Sequence, residues 1–221
     1  VPFDEPPEIR LREEDGLGLA ARIWRLRQPM LAVSSAPLGG GLGLRHWVLN
    51  VQVPHGYDCG EPEQHLAALA REAALTGIGA GMMTAVDVRT AWTVHQEGVY
   101  VDATVGVIGA ALWAADDASS TGQDRDDAPA AGTINIVVAL PERLSEAALV
   151  NAISTATEAK TQALWDAGVD GTGTATDALC VLCPATGDAQ AYGGPRSAWG
   201  GRLARVVFQA VRAGCPTLGP A

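Results

Sequence analysis

The chain is short of most features that would give a function away. It has no apolar run of the about 20 residues that a helix needs to cross a bilayer. Its first residues, Val1-Pro-Phe-Asp-Glu-Pro-Pro-Glu8, are polar and proline-rich, without the basic start and apolar stretch of a secretory signal. A cytoplasmic location is therefore expected. Basic residues are scarce: the formal charge is −10 and the pI is near 4.7. That excludes nucleic acid as the main partner, because phosphate binding wants a basic surface. His-Glu-x-x-His is absent, and none of His46, His55, His65 and His95 pairs with another at ligand spacing, so no metal and no cofactor are expected. There is no Gly-x-Ser-x-Gly elbow for a serine hydrolase. Cysteine is limited to Cys59, Cys180, Cys183 and Cys215. Cys180-x-x-Cys183 has redox or zinc spacing, but it lacks a second pair and lies within an apolar strand, which points to core packing.

What remains is a chain of 221 residues, 48% hydrophobic, long enough for one domain with a core that needs no staples. Strands are expected at Met30–Ser34 and His46–Val53, joined by a glycine-rich turn. A helix follows over about 61–75, with Pro62 in its first turn. Three short strands come next, 82–88, 91–96 and 99–107, with Glu97-Gly98 as a hairpin turn between the last two. The acidic stretch 114–131 reads as a long loop. Beyond it lie a strand at 133–140, a helix at 146–167 capped by Ser145 and closed by Gly168, a strand at 177–183 and a helix at about 197–213. The hairpin demands antiparallel pairing and the strand–helix–strand units demand parallel pairing. The expected fold is therefore a single α/β (α+β mixed) domain: a mixed sheet with helices packed on it. Residues 1–15 would be loose or at an edge, and self-association through the sheet or a helix face stays open.

Part of this order repeats. Asn50-Val-Gln-Val, helix, glycines, Thr84-Ala-Val-Asp87 is echoed by Asn135-Ile-Val-Val, helix, glycines, Thr174-Ala-Thr-Asp177. Two pseudo-symmetric halves would bring Asn50, Asn135, Asp87 and Asp177 towards one cleft; a chance match in a chain rich in Ala, Gly and Thr is the alternative.

Several residues stand out chemically. Lys160 falls on the stripe formed by Leu149, Ile153, Ala156 and Leu164, where an ammonium needs a partner or must snorkel out. Gly171-Thr-Gly-Thr-Ala-Thr-Asp177 gathers glycines, hydroxyls and a carboxylate in a turn that lets backbone approach a ligand, or simply caps a helix-to-strand connection. Asn135 opens an apolar strand, where its amide must be hydrogen-bonded. Ser34 and Ser35 precede the glycine turn.

Taken together, Ser34-Ser-Ala-Pro-Leu-Gly-Gly-Gly41, Leu49-Asn50, Gly81-Met-Met-Thr-Ala85, Thr104-Val-Gly106, Gly132-Thr-Ile-Asn-Ile136, Ala156-Thr-Glu-Ala-Lys-Thr161, Gly173-Thr-Ala-Thr-Asp177 and Tyr192-Gly-Gly-Pro195 resemble the adenosylcobinamide amidohydrolase family, in the family's order. The resemblance implies cleavage of the amide joining the aminopropanol arm to the adenosylated corrin, with release of adenosylcobyric acid in corrinoid salvage. From the chemistry of amide hydrolysis we expect Asp177 as general base, supported by Lys160. Asn135 and the 171–176 backbone would be oxyanion donors, and Thr174 or Thr176 an alternative nucleophile to water. Ser34, Ser35, Gly40, Asn50, Thr84, Thr133 and Gly173 would line the substrate site. Trp92, Trp113 and Trp165 could line a pocket for a planar ligand or sit in the core. Two other readings stay open: a relative acting on another large metabolite, or a non-catalytic corrinoid binder, against which the absence of Asp-x-His-x-x-Gly speaks.

Overall fold

The structure, a computed structural model, describes residues 6–14, 16–116 and 132–216. All but the first residues of the expected acidic loop lie outside them. The elements run β1 (Glu8–Glu14), β2 (Leu17–Ser34), β3 (Gly41–Gln52), α1 (Pro62–Glu72), β4 (Ala80–Thr84), β5 (Trp92–Gln96), β6 (Val99–Val105), β7 (Ile134–Ala139), α2 (Glu146–Asp166), β8 (Ala178–Pro184) and α3 (Ala198–Gly214). The strands form one mixed sheet in the order β4-β3-β2-β8-β7-β6-β5, with β1 paired to β2. β3–β4 and β7–β8 are parallel and the other neighbours antiparallel.

Local chemistry explains the expected elements. Ser145 accepts from Ala148 N at the start of α2, and Ser197 from Gly200 N at the start of α3. Glu97 and Gly98 both take positive φ, 54° and 82°, as a two-residue hairpin requires. Two strands are longer than the pattern suggested. β2 starts thirteen residues before Met30 and runs through Pro29, because the register shifts between Arg25 and Met30 and so leaves the proline unpaired. β3 begins inside the glycine-rich stretch, at Gly41.

This sheet is not flat. From β3 to β6 is four strand spacings, roughly 19 Å in a flat sheet, yet Asn50 Nδ2 donates to Thr104 Oγ1 at 3.2 Å. The sheet is folded back on itself, and the irregularity in β2 is the corner. Before it, Ala21 and Ile23 pack with α1; after it, Leu31 and Val33 pack on the α2/α3 layer. The result is four layers: α1, two facing sheet halves, then α2 and α3. Trp24, Met30, Val48, Met82, Val137, Cys180 and Leu182 fill the space between the halves.

That interior also holds a polar cluster invisible in the sequence. Asp102 accepts from Arg22 Nη2 (2.6 Å), Thr93 Oγ1 (2.8 Å) and Tyr100 OH (3.1 Å). Cys180 and Cys183 lie on opposite faces of β8, Cys180 between the sheet halves and Cys183 towards α2. Alternation of strand side chains thus keeps the Cys-x-x-Cys pair from a disulfide or a shared metal. Burial pushes the Cys180 thiol up to about 12.

Both repeated segments do form parallel strand–helix–strand units. Their matching residues, however, sit at opposite ends of the strands. Asn50 is two residues from the end of β3 and Thr84 closes β4, whereas Asn135 is second in β7 and Thr174–Asp177 precede β8. Asp87 is paired with Arg89.

Candidate active site

The buried lysine has found its carboxylate. Lys160 is 5% exposed on α2 and pairs with Asp177. Asp177 Oδ1 also accepts from Ile134 N (2.9 Å) and Thr174 Oγ1 (2.5 Å), and Oδ2 from Thr174 N (3.2 Å). Four donors surround one carboxylate, which exhausts its lone pairs. Asp177 ties the start of β7 and the 173–176 turn to α2, and it has no acceptor left to activate water. A side chain at Gly173 would collide with this ion pair, so packing requires glycine there.

The pair anchors one wall of a cavity of about 670 Å³, within the range of small-molecule sites. Thr84, Gly132, Thr133, Ala175 and Thr176 line it. The hydroxyls of Thr133 and Thr176 are 2.8 Å apart. The two candidate threonines are therefore separated: Thr176 faces the cavity, while Thr174 is turned to Asp177. Thr84 Oγ1 accepts from Val86 N and shapes the turn beside the opening.

Asn135 is 1% exposed, and both its N–H groups are used, one on Asn50 Oδ1 and one on Met83 O, each at 2.8 Å. It has no donor left for an oxyanion. Its Oδ1 is buried and has no partner among the described residues, so the amide can accept but not donate. Asn50 passes the network on to Thr104 and does not line the cavity.

Ser34, Ser35 and Gly40 do not line it either. Ser34 Oγ donates to Leu179 O (2.9 Å) and Ser35 Oγ accepts from Leu179 N (3.1 Å), fastening the end of β2 to β8. Gly40 O accepts from Arg45 Nη2, and a Cβ there would strike Ala36 O. Trp113 and Trp165 pack on each other, centroids 5.8 Å apart, and neither lines the cavity.

Sequence reasoning passed over the loop between β3 and α1, which supplies Tyr57, Asp58 and Cys59 to the same cavity. Tyr57 OH and His65 Nδ1 share a hydrogen bond of 2.7 Å. Burial, and then the Arg12 guanidinium, lower the His65 pKa, so the imidazole is neutral at pH 7. Its Nε2 lies 3.7 Å from Glu14 Oε2, which favours a proton on Nε2 and leaves Nδ1 to accept from Tyr57. Burial, and then the Cys59 side chain, raise the Tyr57 phenol, which stays protonated. The signal available in sequence was weak: an isolated Tyr-Asp-Cys in a loop, eight residues before a helical histidine.

The cavity thus brings hydroxyl groups from the 132–133 and 175–176 segments together with a protonated phenol and a carboxylate from the 54–60 loop. Comparison with known proteins places the chain. The family description "Adenosylcobinamide amidohydrolase" matches residues 9–218. The chain belongs to the adenosylcobinamide amidohydrolase family. A protein of that name from Methanosarcina mazei is 30% identical over 189 residues, 81% of this chain and 88% of the relative. One from Halobacterium salinarum is 36% identical over 115 residues, 52% of this chain and 49% of the relative. Two solved structures are more distant: the PH0078 protein from Pyrococcus horikoshii OT3 (TM-score 0.48, 10% identity, 95% of this chain and 82% of that one) and a Burkholderia sp. beta-aminopeptidase (TM-score 0.47, 13% identity, 95% and 83%). Among the described residues no helix is long and apolar enough to cross a membrane, and no group of three or more His, Cys, Asp or Glu side chains forms a metal site.

Proposed function

We propose that this chain hydrolyses the amide joining the aminopropanol arm to the corrin in adenosylcobinamide, yielding adenosylcobyric acid and the free amine. Family membership supports the substrate. The observation that carries the chemistry is the cavity itself, where the Thr133–Thr176 hydroxyl pair and Tyr57, hydrogen-bonded to His65, line one space.

In this reading Thr133 and Thr176 hold the attacking water, and Asp58 takes its proton as the new carbon–oxygen bond forms. The 175–176 backbone N–H groups face the developing oxyanion. When the carbon–nitrogen bond breaks, Tyr57 turns its proton from His65 Nδ1 to the departing amine and is reprotonated through Asp58 and solvent. Neutral His65 holds the phenol in place. Lys160 and Asp177 position the 173–176 turn and touch no reacting atom.

The test is incubation of the purified chain with adenosylcobinamide, with products followed by mass spectrometry. Release of adenosylcobyric acid by wild type, and its loss in Tyr57→Phe and Asp58→Asn, is expected. No release from folded wild-type protein would refute the assignment.

A further inference from the structure

A second cavity, of about 540 Å³, adjoins the first. Ala85 belongs to both walls; Thr84 faces the first cavity, Val86 and Asp87 the second. The second carries an exposed apolar surface, with Trp92 48% and Ile108 78% exposed. It also holds an unmet acceptor. Gln52 Oε1 is buried and has no hydrogen-bond donor among the described residues. A buried carbonyl oxygen left without a donor is costly, and a ligand N–H would relieve it. Asp87 is not free to do the same work, because Arg89 occupies both its oxygens at 2.6–2.9 Å. Among the described residues no Lys or Arg lines the cavity, which disfavours phosphate or carboxylate as its ligand.

An aromatic face together with one acceptor for an N–H is the recognition chemistry of a heteroaromatic base bearing an exocyclic amine. The first cavity is also too small for the whole proposed substrate, a corrin carrying a nucleoside. We infer that the second cavity receives the adenine of the substrate's adenosyl group, stacked on Trp92, with its amine donating to Gln52 Oε1. This rests on the substrate reading given above. The N–H donors on the corrin's own carboxamide arms are the competing source for the same acceptor.

The experiment uses the full chain and three probes: 5′-deoxyadenosine, adenosylcobinamide and dicyanocobinamide, which lacks the nucleoside. Calorimetry should show that wild type binds 5′-deoxyadenosine. Trp92→Ala should weaken this roughly tenfold, as should Gln52→Leu, while Trp92→Phe restores most of it. The KM for adenosylcobinamide should rise by the same factor in Trp92→Ala, erasing any preference over dicyanocobinamide. Circular dichroism confirms that each variant is folded. Failure of wild type to bind 5′-deoxyadenosine overturns the adenine assignment. Equal KM changes for both corrinoids also overturn it and give the cavity to a corrin carboxamide. Binding that depends on Trp92, without hydrolysis of either corrinoid, would sink the reaction proposed above and leave this subsite standing.

Discussion

Replacing Lys160 by Met should cost most of the stability that one side chain can carry in this protein. The ammonium is 5% exposed and sits against Asp177, whose side chain is 10% exposed. Removing one partner of a buried pair leaves the other charge uncompensated, which costs about 3–5 kcal/mol. Met fills much the same volume, so little of that cost comes from a cavity. Asp177 keeps its three neutral donors, from Ile134 N, Thr174 N and Thr174 Oγ1, which holds the cost towards the lower end. At about 2–4 °C per kcal/mol for a domain of this size, Tm should fall by roughly 6–20 °C. Asp177→Asn alone should destabilise comparably, by burying an unpaired ammonium. The double variant Lys160→Met/Asp177→Asn should be less destabilised than the sum of the two, because neither charge is then orphaned. Urea and thermal unfolding of the four proteins, followed by circular dichroism, measure this. A Lys160→Met protein within about 1 kcal/mol of wild type would refute the view that this pair is a buried, mutually dependent anchor.

Tyr57→Phe should leave Tm nearly unchanged and lower kcat by about 10²- to 10⁴-fold, the range of general acid catalysis, as a steady-state assay would show. Because the His65 pKa is lowered by burial, the folded state binds fewer protons there than the unfolded chain does. Stability is therefore complete above about pH 6.5 and declines as pH falls from there through the folded value; His65→Gln should flatten that slope in urea titrations at pH 5–8. In the native protein a thiol reagent at pH 8 should modify Cys59 alone, with Cys180, Cys183 and Cys215 reacting only after denaturation, since those three are buried and their thiols raised by burial. Gly79→Ala should destabilise strongly, because a methyl there would overlap the Trp47 ring; thermal unfolding checks this.

The elements were legible wherever the deciding physics was local. Ser145 announced α2 because a capping hydroxyl acts within three residues. Glu97-Gly98 announced a hairpin because only its own two residues must take positive φ. Lys160 stood out because its place on an apolar stripe follows from helical periodicity, and an ammonium there requires a partner. The family motifs were readable for the same reason, as short strings of residue types.

Tertiary structure decided what those strings do. Thr104 and Asn135 are neighbours across β6 and β7, but Asn50 reaches them only because the sheet folds over at the irregularity in β2. The Arg22–Asp102 contact spans 80 residues and joins two strands that each read as ordinary. Asp177 looked like a base by its residue type. The three segments that converge on it turn it into an anchor, because a carboxylate's role depends on how many donors reach it and those donors come from distant parts of the chain. Packing of the layers likewise brings Tyr57 into one cavity with Thr133 and Thr176. Composition and spacing determine which groups a chain carries; the packing of layers determines which of them share a cavity.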